Sequence, residues 1–140
     1  MRITGVNHIT LSVKNLDDCL IFYRDILGCK EIGIWDSGAY LLAGNIWLCL
    51  SKDKSAAKCV PAEYSHIAFS FDSDNFDDIR KYFDKHKVEY WKDNMSEGDS
   101  LYILDPSYNK LEIHNSTLAS RVKSLKNKPY SGLHIFTENP

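Results

Sequence analysis

No segment of this chain approaches the run of about 20 apolar residues that a membrane-spanning helix needs, and no basic leader precedes an apolar stretch near Met1. A cytoplasmic protein, neither spanning a bilayer nor exported, is the expectation. Charge of one sign is also missing: 17 Lys and Arg stand against 19 Asp and Glu, for a formal net charge of -2. Such a weak field gathers neither nucleic acid nor acidic lipid, so any anion must be met by a local cluster of donors. Cysteine is sparse. Cys19, Cys29, Cys49 and Cys59 contain no CxxC pair, and the second half of the chain has none, which favours reduced, packed thiols over a zinc cluster. Cys49 alternates with Trp47 in an apolar run and reads as a strand residue. Length excludes two independent domains: 140 residues bury roughly 65 to 70% of the extended-chain surface, enough for one domain or two small modules sharing a core.

What is present repeats. "VNHITLSV" reads as a strand, and "LDDCLIFYRDILG" as an amphipathic helix with Leu16, Leu20, Tyr23 and Leu27 on one face and Gly28 closing it. Strands follow at "KEIGIW", "AYLLA" and "IWLCLS", with turns at Ser37-Gly38 and Gly44-Asn45. The second half has the same order: "HIAFSF", a helix over "NFDDIRKYFDKH" with Phe76, Ile79 and Phe83 inward, then "VEYW", "SLYILD" and "KLEIHN". "HITLS" matches "HIAFS" almost residue for residue. The expectation is an α+β fold of paired βαβββ modules in a single domain over 1–140: module 1 at about 4–58, module 2 at about 62–116, and a C-terminal helix and tail at 117–140. Each module has one helix to cover one sheet face, leaving the opposite faces to meet around a shared interior.

His8 and His66 occupy equivalent places in the repeated first strands. Aligning the last strands on Asn45 and Asn109 makes Leu48 the counterpart of Glu112, and alternation turns Glu112 away from the core face of Leu111 and Ile113. Alone, each reads as readily as a hydrogen-bonded histidine or a solvated carboxylate. Together they form an N, N, O set that suits a divalent ion and leaves positions for substrate. His114, two residues beyond Glu112, is the closest rival ligand; His86 and His134 are weaker ones. The polar run "WKDNMSEGDSLYILDP" reads either as a solvated turn or as an anion-binding loop.

These residues resemble the fosfomycin-resistance thiol transferases, specifically the glutathione-dependent, manganese-using branch of the vicinal oxygen chelate (glyoxalase-like) superfamily. The likeness runs through "NHITLSV", "FYRDILG", "WDSGAYL", "WLCLS", "YSHIAF", "WKDNMSEGDSLYILDP", "KLEIHN", "LASR" and "PYSG", and the SEGDS loop with its flanking lysine and tyrosine is its specific part. The resemblance implies a domain-swapped homodimer in which His8 of one subunit joins His66 and Glu112 of the other around Mn²⁺. It implies fosfomycin as substrate and glutathione as cosubstrate. Lys92, Ser96, Ser100, Tyr102 and Arg121 would hold the phosphonate, Thr10 would lie beside the epoxide, and Trp47 and Tyr64 would shape the pocket. Tyr40 would assist thiol deprotonation, with Trp35, Ser37 and Ser51 beside it for the thiol. K⁺ would bind Asn94, Ser96, Gly98 and Ser100. By the same carry-over Thr10, Tyr40, Lys92 and Arg121 are the catalytic set.

Two positions depart from the glutathione pattern: Ser37 stands where a glutamine is favoured and Met95 where an arginine is frequent. The nearest alternative is the bacillithiol-using branch, which has a cysteine at the Thr10 position and lacks the compact SEGDS loop. A metal-free drug-binding protein of the same fold is the bland alternative. A symmetric four-ligand site would ask for a carboxylate at Leu48.

Overall fold

Period-two and helical segments fold into two copies of one unit. The computed structural model describes residues 1–71, 75–94 and 99–137. The first unit is β1 (His8–Val13), α1 (Leu16–Leu20) continued by a π-helical segment (Ile21–Ile26), β2 (Lys30–Trp35), β3 (Gly38–Ala43) and β4 (Ile46–Lys52). The second is β5 (Ile67–Phe69), α2 (Phe76–Lys85), β6 (Glu89–Lys92), β7 (Ser100–Leu104) and β8 (Lys110–His114), and α3 (Leu118–Asn127) follows. Each unit forms its own four-stranded sheet, in the orders β1-β4-β3-β2 and β5-β8-β7-β6, with its first and last strands paired in parallel.

Local chemistry sets the helix ends. Asn15 caps α1 by accepting from the N–H groups of Asp17 and Asp18, whose carboxylates also suit the positive end of the helix. Asn75 does the same for α2, and Thr117 with Ser120 makes a reciprocal capping box on α3. After α1 the chain widens: Leu27 N–H reaches Phe22 O at 2.9 Å, a π-type bond. Gly28, at φ 73°, then allows Cys29 N–H to close on Tyr23 O at 2.8 Å. The wide turn corrects the expected face. Phe22 and Tyr23 are both buried, whereas Leu27 is only partly so.

Three other expectations shift by one or a few residues. The first hairpin turns at Asp36 and Ser37, with Gly38 already in β3. A Cβ on Gly38 would lie 2.4 Å from the Trp35 ring and 2.7 Å from Leu50 O, so only glycine lets the indole fold across the strand. Of "HIAFSF", only Ile67–Phe69 pair, leaving His66 just ahead of β5. The counterpart of Glu112 is Cys49, not Leu48: Thr10 pairs with Cys49 as Ala68 pairs with Glu112. Leu48 is fully buried on the core face, opposite to its neighbour Cys49, because adjacent strand residues point to opposite faces.

One core unites both units. Leu11, Val13, Leu41, Leu48 and Leu50 from the first sheet join Ile79, Phe83, Leu101, Ile103, Leu111 and Ile113 from the second unit in a single cluster. The β7–β8 turn ties them with buried polar bonds. Asp105 accepts from Tyr23 OH at 2.9 Å and from the Ser107 and Asn109 backbone N–H groups at 2.8 Å each. Ser107 Oγ in turn accepts from Lys14 N–H, and Asn109 Nδ2 donates to Ser12 O. Burial pushes the Asp105 carboxyl above its ordinary value while these donors pull it back. It also pushes the Cys19 and Cys29 thiols up to about 12 and about 11, so both behave as inert packing groups, as their spacing predicts.

Candidate functional site

With their inner faces committed to the core, the sheets are left with one free face each. On the second sheet, β8 alternates Leu111 and Ile113 inward and Glu112 outward, so the carboxylate stands beside His66, which precedes β5. His66 Nε2 lies 2.8 Å from Glu112 Oε2, and His66 Nδ1 lies 3.0 Å from Tyr64 O. The other carboxylate oxygen, Oε1, accepts from Ser100 Oγ at 2.6 Å. Ser100 Oγ also contacts His114 Nδ1 at 2.8 Å. Burial alone would raise the Glu112 carboxyl; the hydrogen bonds from Ser100 and His66, with the two histidines nearby, outweigh it, and the group titrates below its ordinary value.

An aromatic enclosure surrounds the pair. His66 packs against Tyr64, Trp91 and Tyr102, with ring centroids 5.3, 5.7 and 6.0 Å away. Trp91 is pinned by its Nε1–H to Leu111 O at 3.0 Å. Two lysines bring positive charge to this face: Lys110, whose Nζ lies 4.8 Å from the Trp91 ring centroid, and Lys92, paired across the ladder with Tyr102. Lys92 Nζ donates to Tyr64 OH at 2.8 Å and lies 4.6 and 4.9 Å from the Tyr64 and Tyr102 ring centroids. The Tyr64 hydrogen bond is the main reason its ammonium is held more firmly than usual.

The first sheet's free face is different in kind. His8 and Thr10 on β1 are exposed, and a line of rings runs from Trp35 to Tyr40 at 4.7 Å, to Trp47 at 5.1 Å and to His8 at 4.6 Å. Trp47 is 37% exposed, so it is a surface wall and not a core residue. Ser51 sits across the ladder from Gly38, and Ser37 accepts from Lys52 N–H through its backbone oxygen.

The structure therefore brings His66, Glu112, Ser100, Tyr102, Lys92 and Tyr64 together, and places His8, Thr10, Tyr40, Trp47 and Trp35 together elsewhere. His8 contacts Asn7 and Trp47. Among the described residues no three His, Cys, Asp or Glu side chains gather closely enough to hold a metal ion. Arg121 is half-buried on α3. Asn94 is exposed, and Ser96 and Gly98 lie outside the described residues. Sequence reasoning undervalued His114, treated as a rival ligand although its place two residues past Glu112 put it on the same face, where it meets Ser100. The structural part of Trp91 was missed as well. Among the described residues no helix is long and apolar enough to cross a membrane.

Comparison with known proteins bears on the family and the fold. The profile of the Glyoxalase/Bleomycin resistance protein/Dioxygenase superfamily matches residues 5–113. Glutathione transferase FosA of Serratia marcescens is 38% identical, with 96% of each chain covered. Metallothiol transferase FosB of Staphylococcus haemolyticus is 33% identical over 95% of this chain and 99% of its own. The crystal structure of the fosfomycin resistance protein FosX of Listeria monocytogenes with Mn(II) and sulfate superposes with a TM-score of 0.78 at 28% identity, covering 88% of this chain and 98% of that one. A variant of the same protein, crystallised with Mn(II) and a dihydroxypropylphosphonic acid, gives a TM-score of 0.76 at 27% identity, over 86% of this chain and 99% of its own.

Proposed function

The chain belongs to the glyoxalase/bleomycin resistance protein/dioxygenase superfamily and, within it, to the fosfomycin-resistance group, and from that premise we propose that it inactivates fosfomycin by adding glutathione to the epoxide with the help of Mn²⁺. The observation that carries this reading is the convergence of His66 Nε2 and Glu112 Oε2 to 2.8 Å on a face that also holds a lysine cation. An imidazole nitrogen and a carboxylate oxygen turned toward each other are a donor pair suited to a divalent ion. His66 and Glu112 would hold it with His8 from a second copy, which accounts for a histidine left exposed on the other sheet. When bound, the metal supplies Lewis acidity that offsets negative charge on the epoxide oxygen as its C–O bond breaks.

The protein's own groups then bind and orient. Lys92, Arg121, Tyr102 and Ser96 hold the phosphonate through charge-assisted bonds. Ser100 directs its proton to Glu112 and has none left for the anion, so its part here is that of an oxygen ligand to K⁺ alongside Asn94, Ser96 and Gly98. Thr10 borders the epoxide, Trp47 and Tyr64 wall the pocket, and Trp35, Ser37 and Ser51 line the thiol side. The phenolic oxygen of Tyr40 assists removal of the thiol proton. The sulfur bonds to the unsubstituted epoxide carbon as that carbon loses its bond to oxygen, and the oxygen takes a proton from solvent. In this reading the active unit is a cytoplasmic homodimer.

Mass spectrometry of fosfomycin incubated with the protein, Mn²⁺ and K⁺, in separate arms with glutathione, bacillithiol or water alone, tests the proposal. The expected product is the glutathione adduct. A bacillithiol adduct or a diol would reassign the nucleophile, and unchanged fosfomycin in every arm would overturn the enzymatic reading in favour of drug binding.

A further inference from the structure

Ser100 has one hydroxyl proton and two partners. Its Oγ lies 2.6 Å from Glu112 Oε1 and 2.8 Å from His114 Nδ1. A carboxylate has no proton to give, and the shorter contact is the charge-assisted one, so the hydroxyl donates to Glu112. The Oγ must then accept from His114, which places a proton on Nδ1. The result is a one-way chain, Nδ1–H to Oγ–H to Oε1, each step shorter than the direct 3.4 Å from His114 Nδ1 to Oε1, while the other carboxylate oxygen faces His66. Strand register builds it: Ser100 stands opposite His114 on the β7–β8 ladder, as Tyr102 stands opposite Glu112. Ser100 is 2% exposed and Glu112 7%, so neither oxygen is free to turn to bulk water. The first sheet has Gly38 opposite Ser51 at the equivalent rung, where no such chain can form.

We propose that His114 is a positioning residue for divalent-metal binding, acting through Ser100 to clamp Glu112 Oε1 so that Oε2 is presented beside His66, and is not itself a ligand. The proposal rests on reading His66 and Glu112 as metal ligands. Outer partners of this kind commonly change metal affinity by about 10- to 100-fold when removed.

Mn²⁺ alone is the probe, with the free ion followed by electron paramagnetic resonance during titration of the full chain and melting temperature recorded on the same samples. His114→Ala should weaken Mn²⁺ binding by about 10- to 100-fold at an unchanged melting temperature. His114→Asn, whose amide nitrogen falls near the position of Nδ1, should restore most of the affinity. His114→Gln, which fills the space without placing a donor there, should not, and it replaces the alanine variant should that one fail to fold. Ser100→Ala combined with His114→Ala should bind no more weakly than Ser100→Ala alone, because both act along one path. Wild-type affinity in His114→Ala, or equal loss in the asparagine and alanine variants, overturns the positioning role. Absence of Mn²⁺ binding by the parent protein, with no effect of His66→Ala, would instead overturn the metal reading beneath it.

Discussion

The free faces of the two sheets come from the same βαβββ plan and have been given opposite chemistry. Register pairs them rung by rung: His8 with His66, Thr10 with Ala68, Tyr40 with Tyr102, Cys49 with Glu112, Gly38 with Ser100 and Ser51 with His114. Only the histidine and the tyrosine are common. In the first sheet a glycine lets Trp35 lie across the strand, and the face becomes a line of exposed rings. In the second, the same rungs carry a serine, a carboxylate and a histidine bonded to one another. A duplicated fold has thus kept one histidine per copy and divided the rest of the face, shape on one side and charge on the other.

The sharpest way to break this division is to neutralise the charged side. Glu112→Gln keeps the size but replaces an anion with an amide, and should weaken Mn²⁺ binding by about 2 to 5 kcal/mol, with fosfomycin turnover falling in step. Titration calorimetry showing parent-like affinity would remove Glu112 from the metal. Next in size is Lys92→Met, which preserves the alkyl stem over Tyr64 and Tyr102 while deleting the cation. Loss of a charged hydrogen bond to the phosphonate should cost about 2 kcal/mol in kcat/KM, measured against Trp47→Leu on the other face, which should raise KM for the drug without altering Mn²⁺ affinity. Equal effects of the two variants on metal binding would mean that charge and shape are not segregated.

How much of this was readable in advance varies along the chain. His8, His66 and Glu112 stand out because a repeat and a two-residue alternation survive in the letters. The Leu48 error arose from anchoring the alignment on Asn45 and Asn109. The β3–β4 hairpin turns through Gly44 and Asn45, between the paired Ala43 and Ile46, whereas β7 and β8 pair at Leu104 and Lys110 around the longer turn centred on Asp105. Register belongs to backbone pairing and not to residue identity, and a slip of one position exchanges a core leucine for an outward thiol. The π-helical turn was equally hidden, since helical spacing alone places Leu27 inward where Phe22 goes instead. The Asp105 bonds span both units, and no local pattern announces them.

That seam supports the third prediction. Tyr23→Phe removes only the hydroxyl that reaches Asp105, and should lower unfolding free energy by about 1.5 kcal/mol while activity per folded molecule holds. Chemical denaturation alongside product formation checks both parts; a loss of specific activity would mean that the seam also sets the spacing of the two faces. The smallest expected effect comes from restoring symmetry. Cys49→Glu places a carboxylate at the rung equivalent to Glu112, and if the first face does reach a metal in the second copy, Mn²⁺ affinity should rise by about 1 kcal/mol, roughly fivefold. No change at all would argue that the ring-lined face never approaches the ion.

The parallel pairing that closes each sheet also imposes an order in time. Thr10 cannot find Cys49 until a helix and two further strands have been made, and Ala68 waits in the same way for Glu112. Closing so long a loop is entropically unfavourable until the strands between have zipped together. On a ribosome, the first sheet can close while the second is still being synthesised. The His66–Glu112 pair is joined only when β8 has emerged, after the Asp105 turn that knits the two halves, so a chain stalled before that turn holds neither the seam nor the charged face.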